Sequence, residues 1–249
     1  MRTVYILMAA NLMLFVAVSI GVMAAGDKAA LWFALPASAA ELLCRPWTVI
    51  SYMFTQWNVV HLLVNMLWLW CWVRVSCLTP GCCGLTTGAR LIGAYLTGGI
   101  LGAIIYEIAS ATGVDCGWCL TGSSAAVVGV ITAGAVNSGR VRVNLVFFGR
   151  VRLLWAAVVA VGLCLLGDLG GDPGTGLAHL GGVIGGVLFG FWQKHWTASE
   201  AVRAARGLGN SGDDSRDLDT ILAKVGRSGY GSLNTIERNR LFEISKRMK

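Results

Sequence analysis

Trp118-Cys119-Leu120-Thr121-Gly122-Ser123-Ser124-Ala125-Ala126-Val127-Val128-Gly129-Val130-Ile131-Thr132-Ala133-Gly134-Ala135-Val136-Asn137 runs without a charged side chain. A helix needs about 20 predominantly apolar residues to cross a bilayer core, and this run is that long. Working outward, five more segments meet or approach the same length: 3–25, 57–76, 89–109, 151–168 and 175–193. Together they leave no room for a separate soluble core before about residue 197. Composition agrees. The chain is 55% hydrophobic and 13% charged, against about 25% charged for a soluble domain, and its mean hydropathy is +0.66. The fold class expected is an all-α membrane protein, with six transmembrane helices in residues 1–196 and a distinct region in 197–249.

Charge orients the spans. Arg2 precedes the first span, Arg74 and Arg90 flank the loop between the second and third, and Arg140, Arg142, Arg150 and Arg152 crowd the loop between the fourth and fifth. Lys194 follows the sixth span. The alternate loops hold only Lys28 and Arg45 against Asp27, Glu41, Asp115, Asp168 and Asp172. Positive loops face the cytoplasm, so both termini are expected there, and spans two, four and six start on the outer side. The net charge of +7 thus reads as topology rather than a nucleic-acid-binding face. Span one ends Val22-Met23-Ala24-Ala25-Gly26 like a signal peptide, but its apolar stretch is longer than a signal core and it is read as retained.

Residues 26–56 are half apolar and suit a segment lying in the outer interface. Residues 207–217, Gly-Leu-Gly-Asn-Ser-Gly-Asp-Asp-Ser-Arg-Asp, have the composition of a linker. Leu218, Ile221, Leu222 and Val225 then recur at helical spacing, and Ser232-Leu233-Asn234-Thr235-Ile236-Glu237 offers a second helix start, continued by Leu241, Ile244 and Met248. The region reads as a small cytoplasmic helical hairpin.

Ionisable groups inside a membrane are costly and mark functional sites. His195 sits beside Lys194 at the end of span six, an interface position. His61 and His179 lie near the outer starts of spans two and six, each about 6 Å in at 1.5 Å per residue. Ser124 falls six residues into span four, about 9 Å deep by the same rise. One layer of the outer leaflet therefore holds all three. Gly122-Ser123-Ser124-Ala125 is a G-x-S run opening a helix, and a serine needs an adjacent base to act as a nucleophile. Ala178-His179 supplies one. Gly182 and Gly186 share the His179 face and would let span six pack closely on span four. His61 and Asn65, four apart, share a helix face, and both could donate hydrogen bonds to an oxyanion.

The set His61-x-x-x-Asn65, Gly122-x-Ser124 and Ala178-His179, with Trp47 in the loop before span two, resembles the rhomboid proteases over residues 1–196. The resemblance implies an intramembrane serine endopeptidase with a Ser124–His179 dyad and no acidic third member. His61, Asn65 and the serine's own backbone N–H would form the oxyanion hole. It implies transmembrane protein substrates within the lipid bilayer, cut near the outer leaflet, and no cofactor or metal. The tail resembles the short helical extension of some bacterial rhomboids, and the location expected is a bacterial inner (plasma) membrane. Three positions depart from the family pattern: Ala125 stands where Gly often follows the serine, Val128 where many members carry a Tyr that stacks on the histidine, and Thr48 where Arg commonly follows the loop Trp.

Other readings stay open. Ser123 competes with Ser124 as nucleophile. Cys116-Gly117-Trp118-Cys119 is a local disulfide, a redox pair, or two independent apolar residues. A rhomboid-like, non-catalytic client-binding protein is the alternative function, although such relatives usually lose the serine or histidine. A transporter or channel would spread polar residues through the full membrane depth, and here they cluster near one side.

Overall fold

The computed structural model describes residues 2–78, 88–145, 149–167, 172–209 and 212–247. Asp168, Asn210, Ser211 and Met248, named above, lie outside the described residues. The chain divides into two compact units, Met1–His195 and Trp196–Lys249.

The first unit is a helical bundle. Four helices contain stretches long and apolar enough to cross a membrane: α1 (Arg2–Ala25), and, further along, the helices Val59–Leu78, Gly88–Ala111 and Pro173–Gly209. Two shorter apolar helices, Ser124–Ser138 and Leu153–Gly167, complete the set. Between α1 and the next long helix run α2 (Lys28–Leu31), β1 (Leu35–Pro36), α3 (Ala39–Cys44), α4 (Thr48–Ser51) and a 3-10 turn, Tyr52–Phe54. Then come α5 (Val59–Leu78), α6 (Gly88–Ala111), β2 (Cys119–Leu120) and α7 (Ser124–Ser138). The hairpin β3 (Arg142–Leu145) and β4 (Gly149–Arg152) leads into α8 (Leu153–Gly167) and α9 (Pro173–Gly209). Apolar side chains such as Ile6, Met13, Leu63, Leu67, Trp155, Val159 and Leu188 stay exposed around the bundle. A continuous apolar exterior is what lipid contact requires and what a water-soluble protein avoids.

Helix α7 packs at the centre, with 12 of its 15 residues buried, and glycines set the distances. A β-carbon on Gly98 would stand 2.7 Å from the Gly129 Cα of α7. On α9, two glycine rows face two different neighbours: Gly181 and Gly185 lie against the α6 backbone at Leu101–Gly102 and Thr97–Gly98, while Gly182 and Gly186 lie against the Ala125 and Gly129 carbonyls of α7. Small residues let backbones meet where lipid offers no hydrophobic drive for association.

The segment before α5 is stapled to the bundle by buried hydroxyls. Tyr52 Oη donates to the Gly99 carbonyl (2.6 Å) and Tyr95 Oη to the Met53 carbonyl (2.9 Å). Burial pushes the Tyr52 hydroxyl far above its ordinary pKa, so it remains a donor. Trp47 Nε1 donates to the Trp32 carbonyl at 3.0 Å, and the two rings lie 5.1 Å apart. Thr48, in the position where Arg is common, donates its hydroxyl to the Arg45 carbonyl at 2.6 Å. Arg45 itself reaches the Leu31 carbonyl (2.6 Å) and pairs with Glu41. The guanidinium that ties this segment together thus stands two residues before the Trp rather than after it.

Two expectations change. Span four was placed from residue 118, with Ser124 six residues in; α7 begins at Ser124 itself. The cause is non-local. β1 and β2 pair antiparallel, Leu35 opposite Leu120 and Pro36 opposite Cys119, and Ala37 N–H donates to the Trp118 carbonyl at 3.2 Å. Gly122, at φ +118°, then turns the chain through a conformation that only glycine adopts freely. Residues 207–217 were read as a linker; residues 207–209 end α9, and 212–217 begin α10 (Gly212–Ser228).

In the second unit, α10 and α11 (Thr235–Arg247) are joined by Gly229, at φ +74°, and a 3-10 turn, Tyr230–Ser232. Asn234 and Glu237 cap α11 reciprocally: Glu237 N–H donates to Asn234 Oδ1 and Asn234 N–H to Glu237 Oε2, both at 2.8 Å. Lys224 of α10 donates to Glu237 at 2.8 and 2.9 Å, and this bond holds the Glu237 carboxyl below the usual carboxylate range. Ile221 and Leu233 are buried in this unit.

Candidate active site

Four helices supply the walls of one cavity of about 280 Å³: His61, Val64, Asn65 and Trp68 from α5; Ser124, Val127, Val128 and Ile131 from α7; Ala160, Leu163 and Cys164 from α8; and His179 from α9. The four residues singled out for chemistry therefore meet at one place. Ser124, Asn65 and His179 are buried, at 7%, 5% and 3% exposure, whereas His61 is exposed.

Each is positioned by a local feature. Ser124 opens α7, so the backbone N–H groups of its first turn have no acceptor within the helix, and the positive end of the helix dipole lies at the serine. Gly122 sits between the serine and His61: a β-carbon there would be 3.1 Å from His61 Cε1 and 3.7 Å from Ser124 Oγ. Its own N–H donates to the Tyr52 carbonyl at 3.0 Å. Gly182, three residues after His179, presses on the Ala125 backbone so closely that a β-carbon would overlap the carbonyl. That contact carries α9 against the residue next to Ser124.

Ser123, the competing nucleophile, is engaged elsewhere. It is fully buried, and its hydroxyl accepts a hydrogen bond from Gln56 Nε2 at 2.9 Å. It does not line the cavity. Gln56 also accepts from Asn65 Nδ2 at 3.3 Å and donates to Asn11 Oδ1 at 3.4 Å. Asn11 Nδ2 in turn donates to Tyr95 Oη at 3.1 Å. A primary amide has two N–H donors, so the bond to Gln56 fixes the Asn65 amide and leaves its second N–H available. Sequence reading missed Gln56 and Asn11. Their signal was present, since buried polar residues beside apolar spans call for partners, but nothing local says that the partner is Asn65.

Cys164 was also missed. Its Sγ lies 4.0 Å from His179 Nε2. Val128 lines the same cavity without offering a ring to stack on the imidazole. A rhomboid-domain family model matches residues 43–195, more than half of the chain. The chain belongs to the rhomboid family. This rhomboid is accordingly an integral membrane protein of an intramembrane-protease family, and its all-α bundle is the membrane domain expected from the sequence. No curated protein matches the chain.

At the neighbouring loop, Cys116 and Cys119 are both free thiols. Burial raises the pKa of each, and the Asp172 carboxylate raises both further; Arg45 acts in the opposite direction on Cys119. Redox-active C-x-x-C pairs require a lowered thiol pKa, so this pair has the electrostatics of a structural one. Among the described residues, no cluster of His, Cys, Asp or Glu is arranged to hold a metal ion.

Proposed function

We propose that this rhomboid is a serine endopeptidase that cleaves transmembrane proteins by a Ser124–His179 dyad. The observation that carries the reading is the joint lining of one cavity by Ser124, His179, His61 and Asn65, in a chain of an intramembrane-protease family.

The chemistry follows from the groups present. His179, as the neutral imidazole, takes the Ser124 proton while Oγ attacks the scissile carbonyl carbon. The carbonyl oxygen becomes an oxyanion, stabilised by the Ser124 backbone N–H, the second N–H of Asn65 and the His61 ring. The intermediate collapses, the C–N bond breaks, and the imidazolium returns its proton to the leaving amine. Water then hydrolyses the acyl-serine by the same path in reverse, which regenerates the hydroxyl. A substrate helix must first unwind, because its carbonyls are otherwise hydrogen-bonded within the helix. Substrates with small or helix-breaking residues near the outer end of their span meet that requirement most easily. The membrane domain covers 1–196 and the tail 197–249, both termini lie in the cytoplasm, and the site faces the outer leaflet of a bacterial inner membrane.

Labelling of the purified protein with a fluorophosphonate tests the dyad. Wild type is expected to label at Ser124, and Ser124→Ala and His179→Ala to lose both label and reporter cleavage while staying folded. Equal labelling of Ser124→Ala would move the nucleophile elsewhere. A folded wild type that neither labels nor cleaves would favour a client-binding role.

A further inference from the structure

Between α7 and α8 the chain makes a two-stranded hairpin whose register sorts its side chains. Arg142 stands opposite Arg152 and Asn144 opposite Arg150, while Val143 stands opposite Val151. Side chains alternate across a strand, so one face carries three guanidiniums and an amide, and the other carries valines. Val143 is buried on the bundle, whereas Arg142, Asn144, Arg150 and Arg152 are exposed. The basic face therefore points away from the bundle.

Among the described residues, nothing neutralises it. From Cys116 to Gly167 the sequence has no Asp or Glu. Among the described residues, no carboxylate pairs with Arg142, Arg150 or Arg152. Like charges directly opposite each other destabilise a strand pair, yet Arg142 and Arg152 occupy such positions. A topology signal needs positive charge near a span end but no particular register. Converging three guanidiniums on one short sheet face is more than topology requires.

Position supplies the occupant. The hairpin is fixed to the ends of both helices: Leu153 N–H donates to the Val141 carbonyl at 2.9 Å and Leu154 N–H to the Gly139 carbonyl at 3.2 Å. α7 and α8 have 15 residues each, about 22 Å at 1.5 Å per residue, against a hydrocarbon core of about 30 Å. Helices this short keep the hairpin at headgroup depth rather than out in water. It lies at the end of α7 opposite Ser124. The guanidinium fork matches phosphate oxygens bidentately.

We propose that the Arg142, Arg150 and Arg152 face binds the phosphate of an anionic phospholipid, drawn from the leaflet at that end of the bundle. The proposal stands whether or not the dyad reading does.

The test is native mass spectrometry of the full-length protein, loaded with phosphatidylglycerol or phosphatidylcholine of matched chains. Wild type should retain phosphatidylglycerol preferentially. Each guanidinium removed should lower that preference about fivefold, the contribution of one basic residue near an anionic surface. Arg142→Gln alone relieves the opposed Arg142 and Arg152 charges, and it still reads out the face if the triple variant R142Q/R150Q/R152Q misfolds. Arg142→Lys keeps the charge but not the fork and should fall between wild type and Arg142→Gln. Equal retention of the two lipids by wild type, or unchanged phosphatidylglycerol retention in folded Arg142→Gln and the triple variant, overturns the proposal. So does displacement of the lipid by millimolar inorganic phosphate that itself remains bound, which would assign the face to a free anion.

Discussion

Gln56 holds three polar groups with one amide: Ser123, Asn65 and Asn11 all bond to it. The bond to Ser123 anchors the turn just before the proposed nucleophile, and the bond to Asn65 fixes a proposed oxyanion donor. Removing an oxyanion donor typically costs 10²–10³ in rate, about 2.7–4 kcal/mol. Asn65→Ala and His61→Ala should each leave measurable turnover, because the other donor and the backbone N–H remain, and the double variant should be slower than either. Gln56→Ala, which touches no substrate, should lower kcat by roughly 10²-fold through a misplaced Asn65, while the label on Ser124 survives in part. Kinetics on a detergent-solubilised reporter decide this. If each donor variant were as dead as Ser124→Ala, His61 or Asn65 would belong to proton transfer. If neither changed the rate, the pair would be ordinary helix packing.

At the scale of elements, glycine rows on α6, α7 and α9 set how close the helices come, and closeness brings His179 to the Ser124 end of α7. Gly182→Ala should force α9 away from the Ala125 carbonyl. Overpacking of this kind costs about 1–3 kcal/mol, so thermal stability should drop and labelling of Ser124 should fall with it. Gly162→Ala on α8 is the matched control, because among the described residues nothing lies within 4 Å of its β-carbon position. Should the two variants melt and label alike, the glycine row would not be what seats the histidine. The spacing of Gly182 and Gly186 was readable in the sequence because three- and four-residue periods are local properties of a helix. The second row, Gly181 and Gly185 against α6, was not, since a glycine does not announce its neighbour. The start of α7 was misjudged by six residues for the same reason. Residues 118–123 are apolar enough for a helix, and only the pairing of Cys119–Leu120 with Leu35–Pro36, some 84 residues earlier in the chain, draws them out of one. His61, Asn65, Ser124 and His179 were legible because ionisable and polar groups inside apolar spans are few, whereas Gln56 and Cys164 became visible only through contacts.

At the scale of the whole molecule, the loop charges and the site are linked by an alternation of spans. Arg74 and Arg90, near the ends of α5 and α6, flank one set of loops, to which Arg140, Arg142, Arg150 and Arg152 belong; Asp27, Glu41, Asp115 and Asp172 fall in the other, against Lys28 and Arg45 alone. Helices α5, α7 and α9 each begin at the acidic side, and each carries its share of the proposed chemistry close to that beginning: His61 on α5, Ser124 on α7, His179 on α9. The basic hairpin lies at the other end of α7. If basic loops face the cytoplasm, the cavity opens in the outer leaflet, where the end of a substrate helix meets water. Fusion reporters after residues 145 and 249 should then read as cytoplasmic, and a reporter after residue 172 as external. Neutralising the hairpin alone, with Arg142, Arg150 and Arg152 all changed to Gln, should leave that pattern intact, because Arg2, Arg74, Arg90 and Lys194 still mark the same side. The reverse reporter pattern would put the cavity in the inner leaflet. Substrates would then have to be cut near their cytoplasmic ends, and the lipid bound at the hairpin would come from the outer leaflet.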